Sequence, residues 1–112
     1  MKNEKQNTYQ GWTNYETWAV ALWLTNDESS YRYWQEITLE YVEYAPDCPQ
    51  VMDGVWTQEQ AARFKLADRI ETEVSDASPL ADDSSLYADL LSASLSEVNW
   101  REIADSWLED AN

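Results

Sequence analysis

Histidine is absent from this chain, cysteine occurs once, glycine twice and proline three times in 112 residues. Each shortage closes off some chemistry. Without His there is no Ser-His-Asp triad, no Cys-His pair and no imidazole metal site. Cys48 cannot form an internal disulfide or build a thiolate metal site by itself. Its neighbours Pro46, Asp47 and Pro49 supply neither the base nor the positive field that activates a thiol. Gly11 and Gly54 stand alone, so no glycine-rich loop cradles a phosphate. No apolar run approaches the ~20 residues of a membrane span. Residues 1–10 are polar and lack the hydrophobic centre of a signal peptide, which reads as a flexible N-terminal arm. The expected location is the cytoplasm, and nothing in the chain calls for a cofactor, a metal or a membrane.

Positive charge is also scarce. Seven Lys and Arg face 22 Asp and Glu, a net charge of -15. Residues 71–112 hold only one base, Arg101, and carry two thirds of that charge. A small domain needs a net charge of only about 2 to 8 for solubility, and a larger excess costs stability by self-repulsion. Adaptation to a salty cytoplasm is one reason for such an excess. Whatever its origin, the charge repels nucleic acid and anionic membranes and attracts basic surfaces.

Hydrophobic residues make up 44 %, with seven Trp and seven Tyr, enough bulky apolar area to order one core. The length suits a single domain over residues 11–112. Few glycines and prolines favour helices, and the capping signals divide the chain into about five. Thr13-Asn14-Tyr15-Glu16 has the spacing of a capping box and predicts a helix to about Thr25. That helix is apolar almost all round, which marks it as the central buried one. Asn26-Asp27 caps a second helix to Tyr44, with Trp34, Ile37, Tyr41 and Tyr44 on its apolar side. Pro46, Pro49 and Gly54 break the pattern, leaving a loop with a short extended piece near residues 51–56.

Thr57-Gln58-Glu59-Gln60 opens a third helix to about Ala77, closed by Pro79. Ser84 or Ser85 caps a fourth to Ser96, carrying Leu86, Leu90, Leu91 and Ala93. Asn99 opens the last, amphipathic through Trp100, Ile103, Ala104 and Trp107. The predicted fold is a mainly α, compact single-domain bundle.

Two stretches, WTNYETW continuing into LWLTND (residues 12–27) and LSEVNWREIA (residues 95–104), resemble a group of small, largely uncharacterised proteins encoded by phages and plasmids. The resemblance implies a mobile-element context and brings no catalytic residues with it. The same residues have an architectural reading, as caps (Thr13, Glu16, Asn99) and packing aromatics (Tyr15, Trp18, Trp23).

Candidate sites are therefore carboxylates. Asp82-Asp83, and Asp47 with Asp53, offer oxygen ligands for Mg²⁺ or Ca²⁺ but lack the alternation and terminal Glu of a calcium loop, so loop solvation is the simpler reading. Glu36, Glu40 and Glu43, and likewise Glu102, Asp105 and Glu109, recur at helical spacing, which sets carboxylates about 5 to 6 Å apart along a face. Glu71, Glu73, Asp76, Asp82, Asp83 and Asp89 add to the acidic second half. Fixed, regularly spaced negative charge is what duplex DNA presents to the Lys and Arg of its binding proteins.

The function expected from these features is that of a non-enzymatic inhibitor from a phage or other mobile element. It would bind a basic nucleic-acid-handling host protein, such as a restriction or CRISPR effector, by DNA-like charge. Exposed aromatics such as Tyr31, Tyr33 or Tyr87 would supply anchors. The alternative is a protein–protein interaction module that binds through those aromatics, with the acids serving solubility. A homodimer is compatible with both.

Overall fold

The protein is described by a computed structural model over residues 8–80 and 84–111. In chain order its helices are α1 (Tyr15–Thr25), α2 (Glu28–Tyr44), a 3-10 turn (Ala45–Asp47), the four-residue α3 (Pro49–Met52), α4 (Gln58–Asp76), α5 (Leu86–Ser96) and α6 (Trp100–Ala111). Five of them have 11 or more residues, and no strand occurs among the described residues. The fold is the mainly α single-domain bundle that the sequence indicates.

The 19-residue α4 is the axis of the bundle, with α6 and α2 packed along it. Its Leu66 and Ile70 are fully buried and share a core with Ile103, Ala104 and Trp107 of α6 and Trp34 and Ile37 of α2. Burying each large side chain contributes about 1.5–3 kcal/mol, so this three-helix seam carries most of the apolar stabilisation. A smaller cluster joins Ala45 and Cys48 to Ala61 and Ala62, where small side chains let the 3-10 turn lie close on α4.

The all-round apolar character of α1 misplaces it. Only Thr17, Ala21 and Leu24 of that helix are buried, and Trp23 is 70 % exposed. Burial follows contact area, and α1 meets α2 and α6 through Thr17, Ala21 and Leu24, with Val20 partly buried against the same core. The expected extended piece at residues 51–56 is also absent. Pro49 occupies the first turn of α3, where its missing N–H costs nothing and its fixed φ suits a helix. Val55 and Trp56 then donate their backbone N–H groups to the Gln50 carbonyl at 2.8 and 3.0 Å, which folds this segment back on α3.

The caps explain where most helices begin. Asp27 accepts from the Ser30 N–H and Ser85 from the Ala88 N–H, while Thr57 and Gln60 form a complete capping box. At α1 the cap is Asn14, one residue later than expected. Its Oδ1 accepts from the Thr17 N–H at 2.9 Å and from the Thr17 hydroxyl at 2.6 Å.

Asn14 also joins α1 to the start of α6. Its Nδ2 donates to the Glu97 carbonyl at 2.7 Å, and the Asn99 N–H donates to Thr17 Oγ1 at 2.9 Å. Asn99 Oδ1 in turn accepts from the Glu102 N–H at 3.1 Å, and Glu102 Oε1 accepts from the Thr13 N–H at 3.1 Å. A lone capping box would return the Glu102 carboxylate to the Asn99 N–H. Here the two helix starts exchange those partners and cap each other. The two signature stretches of the sequence thus form one hydrogen-bonded unit.

Ahead of α1, Tyr9 and Trp12 pair through both backbone hydrogen bonds around Gln10 and Gly11, whose φ values of 50° and 88° fit a type I′ turn. The Tyr9 ring lies 5.1 Å from Tyr15 and 5.0 Å from Trp18. The tail of the expected flexible arm is therefore pinned at residues 8–10. Residues 1–7 lie outside the described structure.

Candidate functional site

Glu36, Glu40 and Glu43 are exposed on the side of α2 opposite the buried Trp34, Ile37 and Thr38, and none makes an ion pair or a side-chain hydrogen bond. This stripe keeps its charge in water, as its spacing indicates.

The stripe expected on α6 does not survive as a row of free charge. Glu102 is half-buried and holds the Thr13 N–H, and Asp105 pairs with Arg63 at 2.7 Å. Of the three, Glu109 alone is exposed and unpaired. Both lost positions flank the buried side of α6, where a neighbouring element reaches the carboxylate. Glu73 is likewise committed. It accepts from Arg69 Nε and from the Tyr33 hydroxyl at 2.8 Å, while the same guanidinium reaches Tyr41 and Tyr33 at 3.3 Å. Partial burial works against ionisation of Glu73, but the hydrogen bonds from Arg69 and Tyr33 outweigh it and hold its carboxyl below the usual range. Those same bonds hold the Arg69 guanidinium firmly protonated. Asp82 and Asp83 lie outside the described residues.

The remaining predicted acids come together. Glu71 and Asp76 of α4 and Asp89 of α5 line a cleft of about 550 Å³ between the two helices, floored by Leu80, Leu91 and Leu95. A second open cleft, of about 590 Å³, adjoins it through Glu71 and Ser96 and adds Asp68 and Glu97. All five acids are exposed, and none forms an ion pair among the described residues. The one base on this rim is Arg101, whose guanidinium lies 4.5 Å from the centre of the Phe64 ring. Asp68 follows the i, i+3 rule with Glu71 and was open to discovery from spacing. Glu97 was not, because it sits at the C-cap of α5 and reaches the cleft only through the fold.

A second acidic side runs along α2 and α6. One cleft there contains Glu59, Asp105 and Glu109 beside Val42, and another contains Glu36 and Asp110 beside Leu39. The only base in either, Arg63, is neutralised by Asp105. Nine exposed carboxylates thus line clefts, while Asp27, Glu28, Glu40, Glu43, Asp47 and Asp53 are exposed outside them.

The aromatics sort differently. Tyr31 is half-buried against Trp107 with ring centres 5.4 Å apart, and Tyr33 is tied to Glu73. Tyr87 is 70 % exposed, as is Trp23, a residue that the sequence reading assigned to packing.

Among the described residues, no three His, Cys, Asp or Glu side chains converge to hold a metal ion. No helix there is long and apolar enough to cross a membrane. No curated protein and no solved structure matches the chain. A family model matches residues 5–98, which takes in all of the first signature stretch, the acidic α4 and α5, and the second stretch up to Val98. On that match the chain belongs to DUF7249, a family of unknown function.

Proposed function

We propose that this protein is a non-enzymatic inhibitor, carried by a phage or another mobile element, that occupies the nucleic-acid groove of a basic host protein. The observation that carries this reading is the α4/α5 side. Five exposed carboxylates surround two adjoining clefts there, with a single base at the edge. A groove built to hold phosphates presents Lys and Arg at intervals. Helices that fix carboxylates in advance meet such a groove at little ordering cost, and the charge of -15 steers the encounter. Restriction and CRISPR nucleases of the host cytoplasm are the targets to examine.

The test is displacement of labelled duplex DNA from a panel of such nucleases at about 50 mM and about 500 mM salt. The expected result is displacement that weakens steeply with salt. Absence of displacement, or displacement indifferent to salt, would sink the reading.

A second reading is supported by Trp23 and Tyr87, both 70 % exposed. On this reading the protein is an interaction module that binds through aromatic anchors, with the acids serving solubility. Its complex would persist at about 500 mM salt.

A further inference from the structure

Helix α5 is held less firmly than any other long helix. It has no buried residue, and no other helix packs closely along it, although its sequence LYADLLSASLS is largely apolar. Its cleft side is Ala88, Ser92 and Leu95. On the opposite side Leu86, Leu90 and Ala93 recur at i, i+4 and i+7, a continuous strip facing solvent. Leu86 is 66 % exposed and Leu90 57 %, and Tyr87 stands on the shoulder of the strip. Apolar strips of this kind on a helix surface mark interaction sites.

The charges around the strip say what fits it. Asp89 stands at the border between the strip and the first cleft, Glu97 follows one turn beyond Ala93 where it also lines the second cleft, and residues 84–97 contain no Lys or Arg. We propose that the outward side of α5 docks a basic amphipathic helix of a partner protein. That helix lays its apolar side on Leu86, Leu90 and Ala93 and pairs its Lys or Arg with Asp89 and Glu97. A second copy of the chain fits poorly, because it would bring a further charge of -15 and set like carboxylates against each other. Anionic membranes are repelled for the same reason. The strip differs from charge mimicry in its demand for apolar contact, so either can fail without the other.

The test titrates the full chain against a labelled Leu/Lys amphipathic peptide of about 18 residues. The comparison peptide has the same composition in an order that removes the apolar side. The amphipathic peptide is expected to bind at least about tenfold more tightly, and to keep that margin at about 500 mM salt. Leu86→Ser with Leu90→Ser should abolish the margin and leave the thermal melt unchanged, since both side chains are exposed. Glu71→Gln with Asp76→Asn should weaken both peptides at low salt and preserve the margin, which separates this proposal from the DNA-like one. Equal binding of the two peptides overturns it, as does a margin that survives the double Leu variant. A dimer of the unmodified chain that the double Leu variant dissociates would give the strip to a second copy. Leu-dependent binding to phosphatidylglycerol vesicles would give it to a membrane.

Discussion

Single side chains in this molecule hold helix starts more than they hold sites. Thr17 is fully buried, and its hydroxyl both donates to Asn14 and accepts from the Asn99 N–H. Thr17→Val keeps the shape but leaves that N–H without its acceptor, a loss of about 1–3 kcal/mol. A chemical melt of the variant should show this as a lower midpoint with an unchanged slope. Asn14→Asp is a complementary probe, because it keeps the cap acceptor but sets a carboxylate oxygen against the Glu97 carbonyl in place of the donor. Glu73 adds a pH signature. Its carboxyl is held below the ordinary range when folded, so its contribution is complete above the unfolded value of about pH 4.3 and fades as pH falls through the lower folded value. Glu73→Gln should cost under about 1 kcal/mol at neutral pH, since a third of the pair is open to water. The gap between the two melting curves should narrow as pH falls below about 4, and a gap unchanged at about pH 3 would refute the assignment.

Helices differ in how firmly they are held, and the difference is measurable. α4 and α6 bury Leu66, Ile70 and Ile103, whereas α5 buries nothing. Amide exchange should therefore release α5 at much lower free energy than the other two, by sub-global opening. Protection of α5 equal to that of α4 would contradict this and would also remove the reason to seek a partner for its outer strip. This scale also shows where the sequence was legible. Caps read from local spacing, Asp27, Thr57, Asn99 and Ser85 out of the pair Ser84 and Ser85, placed their helices closely. Amphipathic periodicity placed α2, α4 and α6 against the core. The rest depended on contacts between distant segments. Apolar content alone misjudged α1, because its neighbours bury only Thr17, Ala21 and Leu24 and leave Trp23 in solvent. At α1 the cap bond is the Thr17 N–H to Asn14 Oδ1, while the Thr13 N–H goes to Glu102, 89 positions away. The same kind of contact withdrew Asp105 and Glu73 from the candidate surface while Asp68, Glu97 and Glu59 joined it. A carboxylate's availability is decided by which cation the fold brings to it, and spacing along one helix carries no information on that.

At the scale of the whole molecule the acids outnumber what the fold can neutralise. Among the described residues three ion pairs engage Arg32, Arg63 and Arg69, and the remaining carboxylates repel one another. Added salt screens that repulsion within about a Debye length, roughly 10 Å at 0.1 M. Thermal stability should therefore rise with NaCl from about 50 mM to about 500 mM, by several degrees if about 1 kcal/mol of repulsion is relieved. A flat or falling melting temperature would mean that the charge is compensated in ways the ion pairs do not reveal. The shared cap has a further consequence in time. The bond from Asn99 to Thr17 spans 82 positions, and every partner that α1 lacks in its own neighbourhood is made late in synthesis. A nascent chain that has emerged only as far as α4 holds a first helix with its local Asn14 cap and its α2 neighbour, but without the Glu97 carbonyl, the Asn99 N–H and the α6 side chains that complete its start. Completion of the N-terminal end waits for α6, and until then the side of α1 that α6 will cover is open to chaperones or to neighbouring nascent chains.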